Sequence, residues 1–142
     1  MSNFKTDQEH FWAGNFGDEY VGRNNDEALI SSRIVFWGSA LKCANGIKSI
    51  KEFGCNIGLN LLALKRLNPS FELCGVEINQ KAAKQAQALC IADIQQGSIL
   101  DPMDDESSFD LTFTAGVLIH INPESLNYVY ENLVRVSSAT LW

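Results

Sequence analysis

The sequence lacks a C-x-x-C pair, a long apolar run, any cluster of Lys and Arg, and any internal repeat or low-complexity tract. Each absence removes a class of protein. The four cysteines, Cys43, Cys55, Cys74 and Cys90, are too widely separated for a zinc knuckle or a redox pair. Their spacing predicts buried, reduced thiols in a reducing compartment. No stretch approaches the ~20 consecutive apolar residues that cross a bilayer. The first ten residues are polar and carry acids, unlike a secretory signal. The expected location is therefore cytoplasmic, away from the membrane. Nucleic-acid backbones call for clustered cations. Here 11 basic residues face 17 acidic ones, a net charge of −6. The imbalance sits in the second half: residues 1–70 carry 8 basic and 7 acidic side chains, residues 71–142 carry 3 and 10. Nucleic acid is excluded as the main partner.

What is present fits one domain over residues 1–142. A compact chain of this size buries roughly 68–70% of the surface its unfolded form exposes. Hydrophobic residues make up 46% and charged residues 20%, ordinary values for a globular protein. Residues 1–45 read as an aromatic arm and a helix, residues 46–142 as an alternating strand–helix core. In the arm Phe11, Trp12, Phe16 and Tyr20 lie among Gly14, Gly17 and Gly22, which suits short helical turns in an ordered loop. Asp26 would cap a helix with the stripe Leu29, Ile30, Ile34, Trp37 and Leu41, ended by Asn45-Gly46.

Strands are expected at Ile47–Phe53, Phe71–Glu77, Ile91–Ile94 and Phe109–Thr114. One helix runs from Gly58 through Leu67 to Asn68-Pro69. Another, capped by Asn79, runs to about Leu89 through an alanine-rich face. Asn122-Pro123-Glu124 opens a last helix with cap, proline and first-turn acid in order. Its buried face would be Leu126, Val129, Tyr130, Leu133 and Val136. Alternating strands and helices predict an α/β, doubly wound, mostly parallel sheet covered on both faces. The acidic run Asp104-Asp105-Glu106 reads as a solvated loop. A divalent ion there would need further oxygen ligands, so no metal is expected. Asp110 reads as structural.

The chemistry-bearing pattern begins at the first strand. It ends in Gly54-Cys55-Asn56-Ile57-Gly58, where glycines allow a sharp turn and close ligand approach. Asn56 is one of the few residue types that tolerates a positive φ. Glu77 ends the second strand, where a carboxylate can accept two hydrogen bonds from a ribose diol. A dinucleotide loop would need a G-x-G-x-x-G run, but Leu59-Asn60 stand in place of its third glycine. A nicotinamide-dependent oxidoreductase is thereby disfavoured. Glu52, two residues before Gly54, suits an ammonium group better than a pyrophosphate. An alternative role for Glu52 is capping or a salt bridge. Carboxylate, glycine turn and ribose acid together point to S-adenosylmethionine (SAM), which joins an amino acid to a nucleoside.

These motifs, with Gly75-Val76-Glu77, Phe109-Asp110-Leu111 and Gly116-Val117-Leu118-Ile119-His120-Ile121, resemble a class I SAM-dependent methyltransferase. The arm from Gln8 to Tyr20, followed by Arg23-Asn24, is similar to the methylases associated with pseudaminic acid biosynthesis. The resemblance implies a Rossmann-like fold and methyl transfer to a small molecule, such as a sugar or sugar nucleotide of surface-glycan synthesis. It implies that Glu52, Gly54, Asn56 and Gly58 line the methionine end and that Glu77, with Ile78, holds the ribose. Ser98 and Ile99 would flank the adenine, and Thr114, Ala115 and Gly116 would close the pocket under the sulfonium. Class I enzymes often carry Asp where this chain has Ser98. They also have two further strands, forming an antiparallel hairpin, which would follow Trp142. Their absence would leave Leu141 and Trp142 on an open sheet edge, available to a second copy or a partner chain. A SAM-binding module working with such a partner is the alternative to an active enzyme.

Methyl transfer needs alignment and water exclusion more than acid–base help. Should the acceptor need a base, His120 is the candidate, its other reading being packing beneath the last helix. His10 is a weaker one. Trp12, Phe16, Tyr20 and Arg23 would form either a lid over cofactor and acceptor or a hydrophobic strap packed on the sheet.

Overall fold

The computed structural model describes residues 4–23, 27–103 and 108–138. Asn24, the expected cap Asp26, the Asp104-Asp105-Glu106 run, and Leu141 and Trp142 lie outside the described residues. The arm folds as two short helices, α1 (Asp7–Ala13) and α2 (Asn15–Val21), followed by α3 (Glu27–Ala40). Thr6 caps α1 and Glu9 reaches back to complete a capping box. In α3, Ile30 and Trp37 are buried, whereas Leu29, Ile34 and Leu41 are half-buried.

The core alternates as expected: β1 (Ser49–Phe53), α4 (Leu59–Leu67), β2 (Glu72–Glu77), α5 (Gln80–Ala88), β3 (Asp93–Gln96), β4 (Leu111–Phe113) and α6 (Leu126–Val136). All strand pairings are parallel, in the order β3-β2-β1-β4. Successive crossovers carry the sheet one way from β1 to β3. The chain then returns to place β4 on the other side of β1, so the sheet changes direction between β1 and β4. Such a switch point opens a crevice at the carboxyl ends of the strands.

Side-chain alternation along β1 explains the layering. Ile50 faces the cluster that contains Trp37, Leu61, Leu64, Ala83 and Ala86, from α3, α4 and α5. Phe53 faces the opposite cluster, with Val76, Ile99, Met103, Val129 and Val136. Lys51, buried on that second face, lies over the Phe53 and Phe109 rings at 5.7 and 5.3 Å. Asp110 accepts from the Lys48 and Ser49 backbone N–H groups at 2.8 and 3.0 Å. Those two donors hold its carboxyl below the usual range. It ties the start of β4 to the start of β1, as its structural reading requires.

Several expectations need correction. β3 lies at 93–96 rather than 91–94, because Ile91 and Ala92 pack into the core as a connection after Cys90, which takes a positive φ of 54°. β4 is only three residues long, and Phe109 makes an isolated bridge to Ser137 instead of joining the strand. Asn122-Pro123-Glu124 opens a 3-10 turn (Pro123–Ser125) that leads into α6. On α6 Tyr130 is exposed and Asn132 is buried. The Asn132 amide donates to the Ile99 and Asp101 carbonyls at 3.2 and 3.3 Å, tethering the chain after β3.

The four cysteines form no disulfide, but Cys43 and Cys90 are exposed rather than buried. A thiol-selective reagent should therefore modify two cysteines rapidly in the native protein. Cys55 and Cys74 should react only on unfolding; four fast thiols would contradict this packing. Among the described residues no helix is long and apolar enough to cross a membrane.

Candidate functional site

The crevice at the switch point is a cavity of about 240 Å³. Its floor is the turn from β1 into α4. Gly54, Asn56 and Gly58 have φ values of 79°, 50° and 83°, so the backbone curls through the left-handed region and exposes its amides. A Cβ at Gly54 would stand 2.5 Å from Val117 Cγ2, which fixes how closely the two loops approach. Ala115 and Gly116 complete the wall after β4.

Three buried carboxylates line this cavity, Glu9 from the arm and Glu52 and Glu77 from the sheet. Glu77 sits at the end of β2 and accepts from the Asn56 N–H at 2.7 Å and the Asn79 N–H at 2.8 Å. The Ile78 backbone N–H acts on the same carboxylate, which leaves open about one of its four acceptor sites. Burial raises its pKa despite these backbone donors. Glu52 is 2% exposed. Its Oε1 accepts from the Asn60 amide at 2.7 Å, and Trp37 Nε1 donates to the Asn60 oxygen at 3.3 Å, which orients that amide. Glu52 Oε2 has no partner, the one such buried side-chain atom among the described residues. Burial pushes the Glu52 pKa up to about 8, against the lowering effect of Asn60 and of Arg33 nearby. An unpartnered buried carboxylate oxygen is costly unless a cation or donor meets it.

The arm supplies the roof. Asn79, 3% exposed, donates to the Trp12 carbonyl at 3.1 Å and to Asp18 at 2.9 Å, while its own oxygen caps α5. A Cβ at Gly17 would stand 1.9 Å from that Trp12 carbonyl and 2.7 Å from Asn79 Nδ2. At the other end Glu9 bonds the Ser98 hydroxyl, and Lys5 bonds the Leu100 carbonyl and pairs with Asp101 at 3.0 Å. Trp12 packs against His120 with ring centroids 4.6 Å apart and the planes tilted by 57°.

The cavity lining brings together Trp12, Tyr20, Glu52, Gly54, Asn56, Glu77, Ile78, Ser98, Ile99, Ala115, Gly116 and His120. Four expected residues stand outside it. A Cβ at Gly58 would meet Ala86 of α5 and Leu89 just after it, each at 3.3 Å. The Thr114 hydroxyl donates to the Phe53 carbonyl at 2.8 Å, holding the end of β4 against β1. Phe16 stacks on Phe11 at 4.2 Å, and Arg23 is exposed after α2. Arg33, Asn60 and Glu9 line the cavity and were not expected there. Asn60, a polar residue within the run Leu59-Asn60-Leu61-Leu62, was the visible signal. Arg33 carried none. Among the described residues no three His, Cys, Asp or Glu side chains gather as a metal site would need.

A profile of the methyltransferase domain matches residues 50–139, more than half of the chain. The chain belongs to the methyltransferase domain family. No curated protein sequence matches it. Its fold is shared with solved structures at low identity. Magnesium protoporphyrin IX methyltransferase (ChlM) from Synechocystis PCC 6803, with bound S-adenosylhomocysteine (SAH), is 15% identical with a TM-score of 0.71, over 92% of this chain and 68% of that one. The plantazolicin methyltransferase BpumL, also with SAH, is 18% identical with a TM-score of 0.66, over 85% and 47%. The PH0226 protein from Pyrococcus horikoshii OT3 is 21% identical with a TM-score of 0.69, over 84% and 60%. This methyltransferase domain thus spans about half the length of the BpumL chain.

Proposed function

We propose that this chain binds SAM in the crevice and directs its methyl group to a small-molecule acceptor. The observation that carries this reading is Glu52 Oε2, a buried carboxylate oxygen without a partner, facing the cavity at the end of β1. An ammonium group answers it. Arg33 on the same wall suits the adjoining carboxylate of an amino acid. One strand further along the sheet, the Glu77 carboxylate lines the crevice where a ribose hydroxyl would meet it. The donors and acceptors therefore follow the order of SAM's own groups. A pyrophosphate would instead meet two buried carboxyl groups, neither of which offers it positive charge.

SAM when bound supplies an activated methyl on a sulfonium that leaves as a neutral thioether. The protein's own residues bind, align and keep water out. Trp12 and Tyr20 cover the crevice from the arm, and His120, held by Trp12, stands at its acceptor side to receive a proton from a hydroxyl or amine. We favour a sugar or sugar nucleotide as the acceptor. The support is the likeness of the Gln8–Tyr20 arm to methylases of pseudaminic acid biosynthesis, together with aromatic rings suited to a sugar's C–H face.

Calorimetric titration tests the cofactor. SAM and SAH should bind with micromolar affinity, NAD should not bind, and Glu77→Ala should weaken SAM at least tenfold. Absence of SAM binding by the folded chain would refute the reading. Binding without turnover across a panel of hydroxyl and amine acceptors would favour a module that works with a second copy or a partner chain.

A further inference from the structure

The strand order gives the crevice a direction. On the proposed cofactor reading, the amino-acid end lies over β1, the ribose over β2, and the base over the chain after β3, where Gly97, Ser98, Ile99 and Leu100 form the wall. This wall contributes no charge of its own. A charge is nevertheless buried there: Glu9 of α1 is 6% exposed and lines the crevice.

The capping box accounts for only half of that carboxylate. Glu9 Oε2 accepts from the Lys5 and Thr6 backbone N–H groups. Glu9 Oε1 accepts from the Ser98 hydroxyl, whose oxygen in turn receives the Leu100 N–H at 2.9 Å. A carboxylate oxygen has two lone pairs, so Oε1 retains one. Capping-box glutamates need no burial to do their work, and a charge is taken out of water at a cost. The Lys5 ammonium, four residues before Glu9 in the chain, is engaged by Asp101 and the Leu100 carbonyl.

We infer that Glu9 reads the base: its Oε1 accepts from the exocyclic amine of adenine and rejects a base carrying a carbonyl there. The arm then contributes a specificity-determining carboxylate to the cofactor site as well as a roof. Hypoxanthine differs from adenine at this position by presenting an oxygen acceptor, which would face the Glu9 oxygen as like against like. A site built around a hydrogen bond discriminates strongly against a ligand that cannot make it.

The test compares SAH with S-inosylhomocysteine by calorimetry on the whole chain and on Glu9→Gln. The wild type should prefer the adenosyl compound by at least tenfold. In Glu9→Gln the Lys5 and Thr6 donors retain the amide oxygen, so the amide nitrogen points toward Ser98 and the base. That nitrogen donates, and the variant should bind the inosyl compound at least as well as the adenosyl one. Reversal of preference does not depend on the absolute affinity of the variant. Equal wild-type affinities for the two compounds, or an unchanged preference in Glu9→Gln, would overturn the assignment while leaving the cofactor reading intact. Failure of the wild type to bind either compound would overturn both.

Discussion

Replacing Glu52 with glutamine is expected to weaken SAH binding by a hundredfold or more at pH 8 and to flatten its pH dependence. An ammonium group brought into a desolvated pocket relies on the carboxylate that meets it. Removing one member of such a pair costs about 2–5 kcal/mol, and 2.7 kcal/mol is about a hundredfold. In the ligand-free protein, burial holds the Glu52 pKa at about 8, so the side chain is protonated at neutral pH. The ligand ammonium favours the ionised form, so binding releases a proton. Wild-type affinity should therefore rise with pH up to about 8, by as much as tenfold per unit, and then level off. Calorimetry in buffers of different ionisation enthalpy would register the released proton. A wild-type affinity that is independent of pH between 6 and 8 would remove Glu52 from the site.

The same carboxylate has an opposite effect on stability. Its folded pKa lies above the ordinary carboxyl value of 4.5, so the folded state holds its proton more tightly than the unfolded chain. The stabilisation is complete below about pH 4.5 and is lost as the pH rises through about 8. At 1.36 kcal/mol per unit this comes to about 5 kcal/mol over the range. Glu77 is shifted in the same direction. Glutamine keeps the oxygen that the Asn60 amide bonds and carries no charge, so Glu52→Gln should lose much less stability between pH 5 and 8 than the wild type. Denaturant titrations across that range would read the two slopes directly. The protein thus holds at its centre a group that favours ligand over fold. Such a conflict marks functional sites more than structural ones.

What the sequence made legible was local. The turn from Gly54 to Gly58 and the Asn79 cap are set by residues within a few positions of one another, and their conformational preferences can be read directly. The parallel, doubly wound character of the sheet followed from the alternation of strands and helices, whereas the order β3-β2-β1-β4 is visible only in the structure. Other features arise from contacts between distant residues. Ser98 and Glu9 are 89 positions apart, and no periodicity links them. Arg33 faces the crevice only because α3 lies across α4. Asn132 reads as a solvent-facing residue on α6, since its two carbonyl partners lie about thirty positions upstream. Tyr130 fits the helical stripe and is still exposed. β3 was misplaced for a similar reason. Ile91 and Ala92 are as apolar as a strand core, but register with β2 begins only at Asp93, opposite Cys74.

Gly17→Ala is the sharpest test of whether the arm is a part of the site or only a strap beside it. Alanine is the better helix former by roughly 1 kcal/mol, so at an open position the change would stabilise α2. Gly22, at the end of the same helix, is such a position: an added Cβ there would meet the Glu19 carbonyl at an ordinary 3.6 Å. At Gly17 the added carbon would stand 1.9 Å from the Trp12 carbonyl oxygen, and a backbone atom cannot swing aside as a side-chain tip can. Overpacking of this kind costs about 1–3 kcal/mol. Here the turn between α1 and α2 must also open, which separates Trp12 and Asp18 from Asn79. The clusters on the two faces of the sheet draw nothing from α1 or α2, and α2 joins the core only at its far end, where Val21 packs with Ile57, Leu59 and Ala82, so the unfolding temperature should fall only modestly. Hydrogen exchange should accelerate across residues 7–21, Trp12 should become more accessible to a fluorescence quencher, and SAH affinity should fall at least tenfold. Gly22→Ala should leave all three unchanged. An undiminished SAH affinity in a Gly17→Ala chain whose arm exchanges freely would show that the crevice binds without its roof. Glu9 would then be excluded from it as well.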